Sequence, residues 1–306
     1  MINVATIHWQ DMRWIDVQLH YLERFIDAPY RVWSFLGEEG ADEHAHKFHY
    51  ANRLPIRPHA WKLDLLADLM CEASDDDDLL VFIDGDAFPI APVVPYVEEQ
   101  LAVNPLIAIR RDENDGDPQP HPCFCVTTVG FWRQIGGNWQ RGATWPGPTG
   151  EPVTDVGGNL KAILEERGIE WHPILRSNAH NVHPLLFGVY DDVVYHHGAG
   201  FRGYGGGRAS QARRLERETE LESSLRARAI DAIPERGPTA GLAKRLKPRH
   251  PRRIYRQQLK DQFSQMSEEI YARILRDDDF FLMFTDPDRA HEQRVETPPL
   301  VAELGA

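Results

Sequence analysis

In the N-terminal part of the chain, apolar runs typical of strands alternate with segments whose apolar residues are spaced as in helices. This order limits the fold more than any other feature. The runs at 2–9, 30–37 and 79–84 predict strands, whereas 59–73 carries its apolar residues on one helical stripe. Together with a helical pattern between the first two runs, this β-α-β-α-β order predicts an α/β domain with a mixed, mostly parallel sheet flanked by helices. Such sheets bind ligands at the carboxyl ends of their strands, so we expect the functional site there.

The composition changes beyond the last predicted strand. Further strands are predicted at 105–113 and 123–132, and a helix is predicted at 155–168 with Asp155 as its N-cap. A glycine-rich segment follows the last predicted strand. The residues after it are mostly polar, and their apolar residues are mostly spaced as in helices. We therefore predict an α/β domain at 1–207 and a basic, mainly helical C-terminal appendage at 208–306.

The formal net charge of −13 argues against a nucleic-acid-binding protein, but the charge is spread unevenly. Residues 202–260 contain 16 Lys and Arg against 6 Asp and Glu, a balance of +10, which leaves −23 for the rest of the chain. Three interpretations remain open for this basic stretch. It makes a weak contact with an anionic membrane surface through 208–260, it is a solvated face, or it pairs with carboxylates of the α/β domain.

Nothing in the sequence predicts secretion or a membrane anchor. No apolar run approaches the roughly 20 residues that span a bilayer, and the first residues lack the pattern of a signal peptide. The count of 3 cysteines is odd, which argues against a disulfide framework. We expect a cytoplasmic protein, peripheral at the inner face of the membrane if the basic stretch docks there.

The run LLVFID at 79–84 leads directly into Asp84-Gly85-Asp86, which places two carboxylates at the end of a buried strand. Ionised carboxylates in a low-dielectric setting need a cation, a hydrogen-bond donor or water. Two carboxylates one residue apart can present oxygens to one divalent cation, and the glycine lets a ligand approach the backbone. The same three residues also occur in ordinary turns, so the preceding strand is what favours a metal site.

Two motifs resemble the glycosyltransferases of the GT-A fold, LLVFIDGDAFPI at 79–90 and VVYHHGAGFR at 193–202. The resemblance implies a GT-A-like, Rossmann-like catalytic domain and a metal-dependent hexosyltransferase. It implies a UDP- or GDP-sugar donor, with Mn²⁺ or Mg²⁺ bridging the diphosphate. By the same resemblance the metal ligands are Asp84, Asp86 and His197, and His196 is the alternative histidine.

Other residues are expected near the donor. By the resemblance Asp84, with Gly85 beside it, faces the ribose or a metal-bound water. His59 and Lys62 stand at the head of the helix before the Asp84 strand, within expected reach of the nucleotide or its phosphates. The alternative for Lys62 is an ordinary solvated lysine.

The segment GAGFRG at 198–203 fits the G-x-G-x-x-G pattern of dinucleotide-binding folds. That interpretation needs a helix that packs tightly on the sheet, whereas the following residues are polar and rich in glycine. We expect instead a loop over the diphosphate, with Gly200 in close approach and Arg202 as a cation.

Asp155 is the candidate catalytic carboxylate, since it follows an aromatic loop and precedes two glycines where a substrate can approach. Inverting enzymes of the GT-A fold use such a carboxylate as general base, and many retaining ones place it near the anomeric carbon. Trp132, Trp139 and Trp145 are either platforms for the acceptor or core residues. The expected acceptor is a carbohydrate, a glycolipid or a small molecule.

Two other functions compete with sugar transfer. Nucleotidyl transfer on a related scaffold needs a glycine-rich basic loop after the first strand, where this chain has IHWQDMRW. A non-catalytic nucleotide- or sugar-binding protein of the same fold would have lost part of the metal set, which is intact in this sequence.

Overall fold

The structure, a computed structural model, describes residues 1–9, 11–37, 41–114, 116–147, 150–198 and 208–305. Its strands are β1 (Ile2–His8), β2 (Tyr30–Leu36), β3 (Tyr50–Asn52), β4 (Leu79–Asp84), β5 (Ala87–Pro89), β6 (Leu106–Ile109), β7 (His121–Thr128), β8 (Trp145–Pro146), β9 (Pro152–Val153), β10 (His172–Ile174), β11 (Gly188–Tyr190) and β12 (Val194–His196). Its α-helices are α1 (Trp14–Phe25), α2 (Ala41–His44), α3 (His59–Glu72), α4 (Val93–Leu101), α5 (Val129–Ile135), α6 (Gly158–Glu166), α7 (Arg208–Ser223), α8 (Leu225–Asp231), α9 (Ala240–Leu246), α10 (Pro251–Ile274), α11 (Leu282–Thr285), α12 (Pro287–Glu292) and α13 (Pro299–Gly305).

The largest sheet has seven strands in the order β10-β6-β7-β4-β1-β2-β3. The pairs β1–β2, β1–β4, β2–β3 and β6–β10 are parallel, whereas β7 runs antiparallel to both β4 and β6. All seven residues of β1 are buried, as expected of a central strand with helices on both faces. The predicted mixed, mostly parallel sheet with flanking helices is confirmed.

Two apolar cores cover the two faces of this sheet. On one face, α1 and α4 pack against β1 and β4 through residues such as Leu22 and Val97. On the other face, α3, α5 and α6 bury Phe82 of β4 among their own apolar residues. These layers hold β1 and β4 side by side, with Ile7 opposite Asp84 in the register. The carboxyl ends of the two central strands therefore lie together.

A second sheet, in the order β11-β12-β5, begins where β4 ends. Strand β12 runs antiparallel to β5 and pairs His196 with Ala87. The C-terminal helices share one apolar core with this sheet and with α1, through Tyr195, Phe263 and Phe284 among others. The predicted mainly helical C-terminal part is confirmed, and a domain boundary after residue 207 stays a prediction.

The strand predicted at 123–132 is wrong at its end, because β7 stops at Thr128 and α5 begins at Val129. The Thr128 hydroxyl accepts a hydrogen bond from the Phe131 amide at 3.1 Å and so caps the helix. The apolar run continues across this boundary, so its composition alone did not reveal the change from strand to helix.

The three cysteines, Cys71, Cys123 and Cys125, are free thiols. This agrees with the odd cysteine count, which predicted no disulfide framework. Among the described residues, no helix is both long and apolar enough to cross a membrane.

Candidate metal centre

The Asp84-Gly85-Asp86 turn joins β4 to β5 at the carboxyl edge of the large sheet. A Cβ at Gly85 would lie 2.5 Å from the carbonyl oxygen of Ile7 and 2.8 Å from Nδ1 of His8, so any other residue would force strand β1 away. The two aspartates are partly exposed and line a cleft. The glycine thus lets the turn lie against β1 while its carboxylates face the cleft.

His196 at the end of β12 forms a group of three potential metal ligands with Asp84 and Asp86. Its Nε2 lies 3.6 Å from Oδ2 of Asp84 and 3.6 Å from Oδ1 of Asp86. One ligand atom from each residue lies within 4.8 Å of the others. This mixed oxygen and nitrogen donor set fits Mn²⁺, whereas Mg²⁺ prefers oxygen ligands alone.

The structure places His197, the histidine predicted as a metal ligand, on the opposite side of the chain from His196. Successive side chains of an extended segment point to opposite faces, so only one of the two can face the aspartates. The His197 ring is fully buried, 3.0 Å from the Tyr195 hydroxyl and 2.7 Å from Oγ of Ser267. Burial lowers the pKa of His197 to about 3, so it is a neutral core residue. The prediction of His197 as ligand is wrong, and its alternative, His196, has the required position.

Contacts with histidines favour the ionised form of both carboxylates. Burial acts to raise the pKa of Asp84, but the close contact with His59 and the proximity of His196 and His121 hold that pKa well below its usual value. For Asp86, burial again acts to raise the pKa and His196 lowers it below its usual value. Nε2 of His59 lies 3.4 Å from Oδ1 of Asp84. Two ionised carboxylates at neutral pH are what a divalent cation requires.

Gln18 of α1 holds the backbone of the turn. Its side-chain amide group donates to the carbonyl oxygens of Asp84 and Ala87, each at 2.7 Å. Its own carbonyl oxygen accepts from the Thr6 hydroxyl at 2.8 Å and lies 3.1 Å from Nε2 of His8. Gln18 is fully buried, so water does not compete for these bonds. Sequence reasoning missed it, because one glutamine in an amphipathic helix carries no signal of its own.

The ligand group opens into a cleft of about 800 Å³, a volume typical of small-molecule sites. The cleft brings together most of the predicted site residues, namely Asp84, Gly85, Asp86, His59, Lys62 and Asp155. The predicted Gly200 and Arg202 lie outside the described residues.

Lys62 of α3 places a fixed cation at this cleft. It is only 1% exposed, and its Nζ lies 3.3 Å from the centre of the Trp9 ring, over its face. Burial lowers the pKa of Lys62 to about 8, which still leaves it protonated at pH 7. The predicted alternative of an ordinary solvated lysine is wrong, since the side chain is almost completely enclosed.

Asp155 lines the same cleft but does not cap a helix. Its Oδ1 accepts from the amide of Val156 at 2.8 Å, and helix α6 starts only at Gly158. The N-cap is Gly157, whose φ of 89° favours glycine and whose Cβ would lie 2.3 Å from a backbone carbonyl oxygen. The N-cap prediction is therefore wrong, and the role of Asp155 as catalytic carboxylate stays a prediction.

The predicted acceptor tryptophans belong to the core. Trp139 and Trp132 are buried beside Phe82, with ring centres 4.9 and 5.0 Å from the phenyl ring. Trp145 is buried as well, and its indole N–H donates to Asp117 at 3.2 Å. Their prediction as sugar platforms is wrong, because none of these indoles offers a free face in the described structure.

Several cleft residues were missed in the sequence, among them Trp9, Trp61, Arg111, His121 and Gln140. Trp9 follows the last residue of β1, so the rule that ligands gather at strand ends could have found it. His121 begins β7, and it reaches this edge only because β7 is antiparallel to β4. The orientation of that strand has no signature in the sequence.

No protein-family model matches the chain, and no curated protein matches it in sequence. Solved structures that resemble it include the mannosyltransferase PcManGT from Pyrobaculum calidifontis in complex with GDP-Man and Mn²⁺, with 14% identity and a TM-score of 0.46 over 99% of this chain and 84% of that one. TarS residues 1–349 from S. aureus has 8% identity and a TM-score of 0.35 over 45% of this chain and 50% of that one. The glycosyltransferase GlyE from Streptococcus pneumoniae has 13% identity and a TM-score of 0.33 over 44% of this chain and 36% of that one. These likenesses are too distant to decide the activity, which is therefore inferred from the site.

Replacing Gln18 by leucine should weaken the binding of Mn²⁺ in the presence of UDP or GDP by roughly 10- to 100-fold, the range seen when groups that orient metal ligands are removed. The change leaves the carbonyl oxygens of Asp84 and Ala87 without their donor and frees the turn. Free Mn²⁺ is measured by electron paramagnetic resonance during titration.

Gln119→Leu is the matched control, because Gln119 is also fully buried but its amide has no partner among the described residues. It should bind Mn²⁺ as the wild type does. Equal Mn²⁺ affinity in Gln18→Leu and in the control would show that Gln18 does not position the site.

Proposed function

We propose that this chain is a glycosyltransferase of the hexosyltransferase type, which moves a sugar from a UDP- or GDP-sugar to a hydroxyl group of an acceptor. The observation that carries the proposal is the group of Asp84, Asp86 and His196 at the carboxyl edge of the sheet, beside a cleft of about 800 Å³. Asp84, Asp86 and His196 would hold Mn²⁺ or Mg²⁺ there, and the ion would supply positive charge for the donor diphosphate and the leaving group.

The reaction breaks the bond between the anomeric carbon and a phosphate oxygen, and it forms a bond from that carbon to the acceptor oxygen. The departing nucleoside diphosphate gains negative charge, which preorganised cations stabilise. Lys62 supplies a positive charge fixed over an aromatic ring, and His59 contacts Asp84. Gly85 lets the turn that carries the two aspartates lie against β1, and Gly200 and Arg202 are proposed to cover the diphosphate.

Asp155 is the proposed catalytic carboxylate. It lines the cleft that also contains the metal-ligand group. With inversion at the anomeric carbon, it takes the proton of the attacking hydroxyl group as general base. The acceptor is a carbohydrate, a glycolipid or a small molecule that reaches this side of the cleft.

The basic C-terminal stretch has two parts that differ in their partners. Nε of Arg252 and Nε of Arg256 donate to the carboxylate of Glu218 at 2.9 and 2.8 Å, and Glu218 is only 2% exposed. These ion pairs join α10 to α7, whereas one interpretation of the sequence expected partners in the α/β domain. Arg249 and Arg253, in contrast, are exposed and form no salt bridge among the described residues, although Arg253 lies near enough to Glu235 to help lower its pKa.

We propose that the exposed cations contact an anionic membrane surface weakly. Exposed leucines accompany them, Leu225 at the start of α8 and Leu242 in α9. A cytoplasmic location, at the inner face of a membrane, follows from this proposal. The membrane contact would confine the enzyme to the plane that contains an acceptor carried on a lipid.

Asp86→Asn should abolish the metal-dependent part of nucleotide binding, with a loss of at least roughly 100-fold in affinity, because it removes a charged ligand without changing the shape of the side chain. Calorimetry with UDP and with GDP, in Mn²⁺ and in EDTA, measures how much of the nucleotide affinity depends on the metal. The unfolding temperature should fall slightly at neutral pH, because the pKa of Asp86 lies below its usual value and its charge therefore stabilises the fold on balance.

His196→Ala and His197→Ala separate the two histidines. The first should lose the metal-dependent binding, whereas the second should lower the unfolding temperature, because His197 is bonded in the core. Asp112→Asn, at an exposed carboxylate outside the cleft, serves as the unaffected control. Metal-dependent binding that survives in both Asp86→Asn and His196→Ala would rule out the proposed function.

The pH dependence of binding should report on Lys62. Its pKa is lowered to about 8, so its charge is present below that pH and is lost as the pH rises. Affinity for UDP or GDP in Mg²⁺ should therefore weaken above pH 8, by up to roughly tenfold per pH unit. Calorimetry between pH 6.5 and about 9.5 covers the range in which this charge is lost.

Lys62→Met should bind more weakly at pH 7 and show no such decline, because no charge remains to be lost. Lys62→Arg keeps a charge throughout this range and should also give a flat profile. If the nucleotide affinity of either variant still fell above pH 8 as steeply as that of the wild type, the loss of affinity would belong to another group.

Co-sedimentation tests the membrane contact. The protein should sediment with vesicles that contain phosphatidylserine at low salt and should be released at high salt, since the attraction is electrostatic. The double variant Arg249→Glu and Arg253→Glu should stay in the supernatant. The charge-matched control, Arg276→Glu with Arg294→Glu, reverses two exposed arginines elsewhere and should sediment as the wild type does. Recovery of the wild type in the supernatant under both conditions would contradict membrane contact.

A further inference from the structure

Trp61 is the one exposed tryptophan of the chain. All 8 tryptophans lie within the described residues, and Trp61 is 59% exposed whereas the others are buried or partly buried. A single exposed apolar residue needs no explanation on an ordinary surface. Trp61, however, lines the cleft that contains the metal-ligand group.

The indole of Trp61 is held in place. Its Nε1 donates to Oε1 of Gln140 at 3.1 Å. The Gln140 side chain in turn donates to the carboxylate of Asp64, and its backbone carbonyl accepts from the Asn159 amide at 2.9 Å. A ring fixed in this way loses little further freedom when a ligand stacks on it, so more of the contact energy appears as affinity.

The same hydrogen bonds connect Trp61 to the segment that carries Asp155. Asn159 belongs to α6, which begins three residues after Asp155, and the amide of Ala143 donates to the carbonyl of Gly158 at 3.1 Å. Gln140 and Asp155 both line the cleft. The exposed indole and the proposed catalytic carboxylate are thus held by one hydrogen-bonded set of loops.

We propose that Trp61 is the platform for the acceptor, and that this acceptor is a carbohydrate whose pyranose ring stacks its C–H face on the indole. The inference rests on the proposed function and narrows its acceptor to a sugar. A pyranose has an apolar face and polar edges, which matches a flat ring beside polar side chains such as Gln140 and Arg141. Stacking would direct one hydroxyl group towards the side of the cleft where Asp155 lies.

Saturation-transfer NMR tests this placement. The wild type, with Mg²⁺ and either UDP or GDP, is mixed with a panel of methyl hexopyranosides and their di- and trisaccharides. At least one glycan should receive saturation on the C–H groups of one ring face. Trp61→Ala should weaken the binding of that glycan by roughly tenfold, while Trp61→Phe should retain most of it. Val103→Ala, at an exposed residue outside the cleft, is the control.

Calorimetry on the same samples separates the two flat ligands that an indole can hold. In the proposed arrangement, Trp61→Ala keeps the wild-type affinity for UDP and GDP. Loss of nucleotide affinity with unchanged glycan binding would place the nucleobase on Trp61 and overturn the proposal. A wild type that binds nucleotide but no glycan of the panel would also overturn it. A wild type that binds no nucleotide would contradict the proposed function itself.

Discussion

The mutual repulsion of Asp84 and Asp86 is the constraint on which the arrangement of the site depends. Their ligand atoms lie within 4.8 Å of each other, where two like charges repel by about 3 kcal/mol at an effective dielectric constant of ~20. Burial adds a further cost to each negative charge. Close contacts of 3.4 to 3.6 Å with His59 and His196 oppose these costs, and the pKa values of both aspartates lie below their usual values as a result. A divalent cation between the carboxylates would stabilise the pair of negative charges further.

Elements distant in sequence hold this pair in position. Gln18 from α1 bonds to the backbone of the turn, and Gly85 lets the turn lie against β1. His197 acts from the other side, because its ring lies between Tyr195 and Ser267 of α10 and its amide donates to the Asp86 carbonyl at 3.0 Å. The buried histidine thereby fixes the end of β12 and makes its neighbour His196 face the carboxylates. The C-terminal helices therefore support the candidate metal centre as well as covering the second sheet.

The sequence predicted those parts that depend on local patterns. The β-α-β order, the helix that begins at His59 and the turn after β4 follow from periodicity and from the rule for strand ends. The sequence favoured the wrong one of the two histidines, because the pairing of β12 with β5 determines which side of the strand faces the aspartates, and the motif at 193–202 does not show that pairing. The tryptophans were misassigned for a related reason. Glycine-rich surroundings resemble those of a binding loop, yet Trp132 and Trp139 pack against Phe82 from across the fold.

The most direct test of the metal centre is crystallographic. Crystals grown with UDP or GDP and Mn²⁺ are measured at the manganese absorption edge, where anomalous differences locate the ion. The structure predicts one strong peak within coordination distance of Asp86 and His196, with Asp84 bound to it directly or through a water molecule. A nucleotide bound in the cleft without any peak between these residues would contradict a metal-dependent reaction at this site.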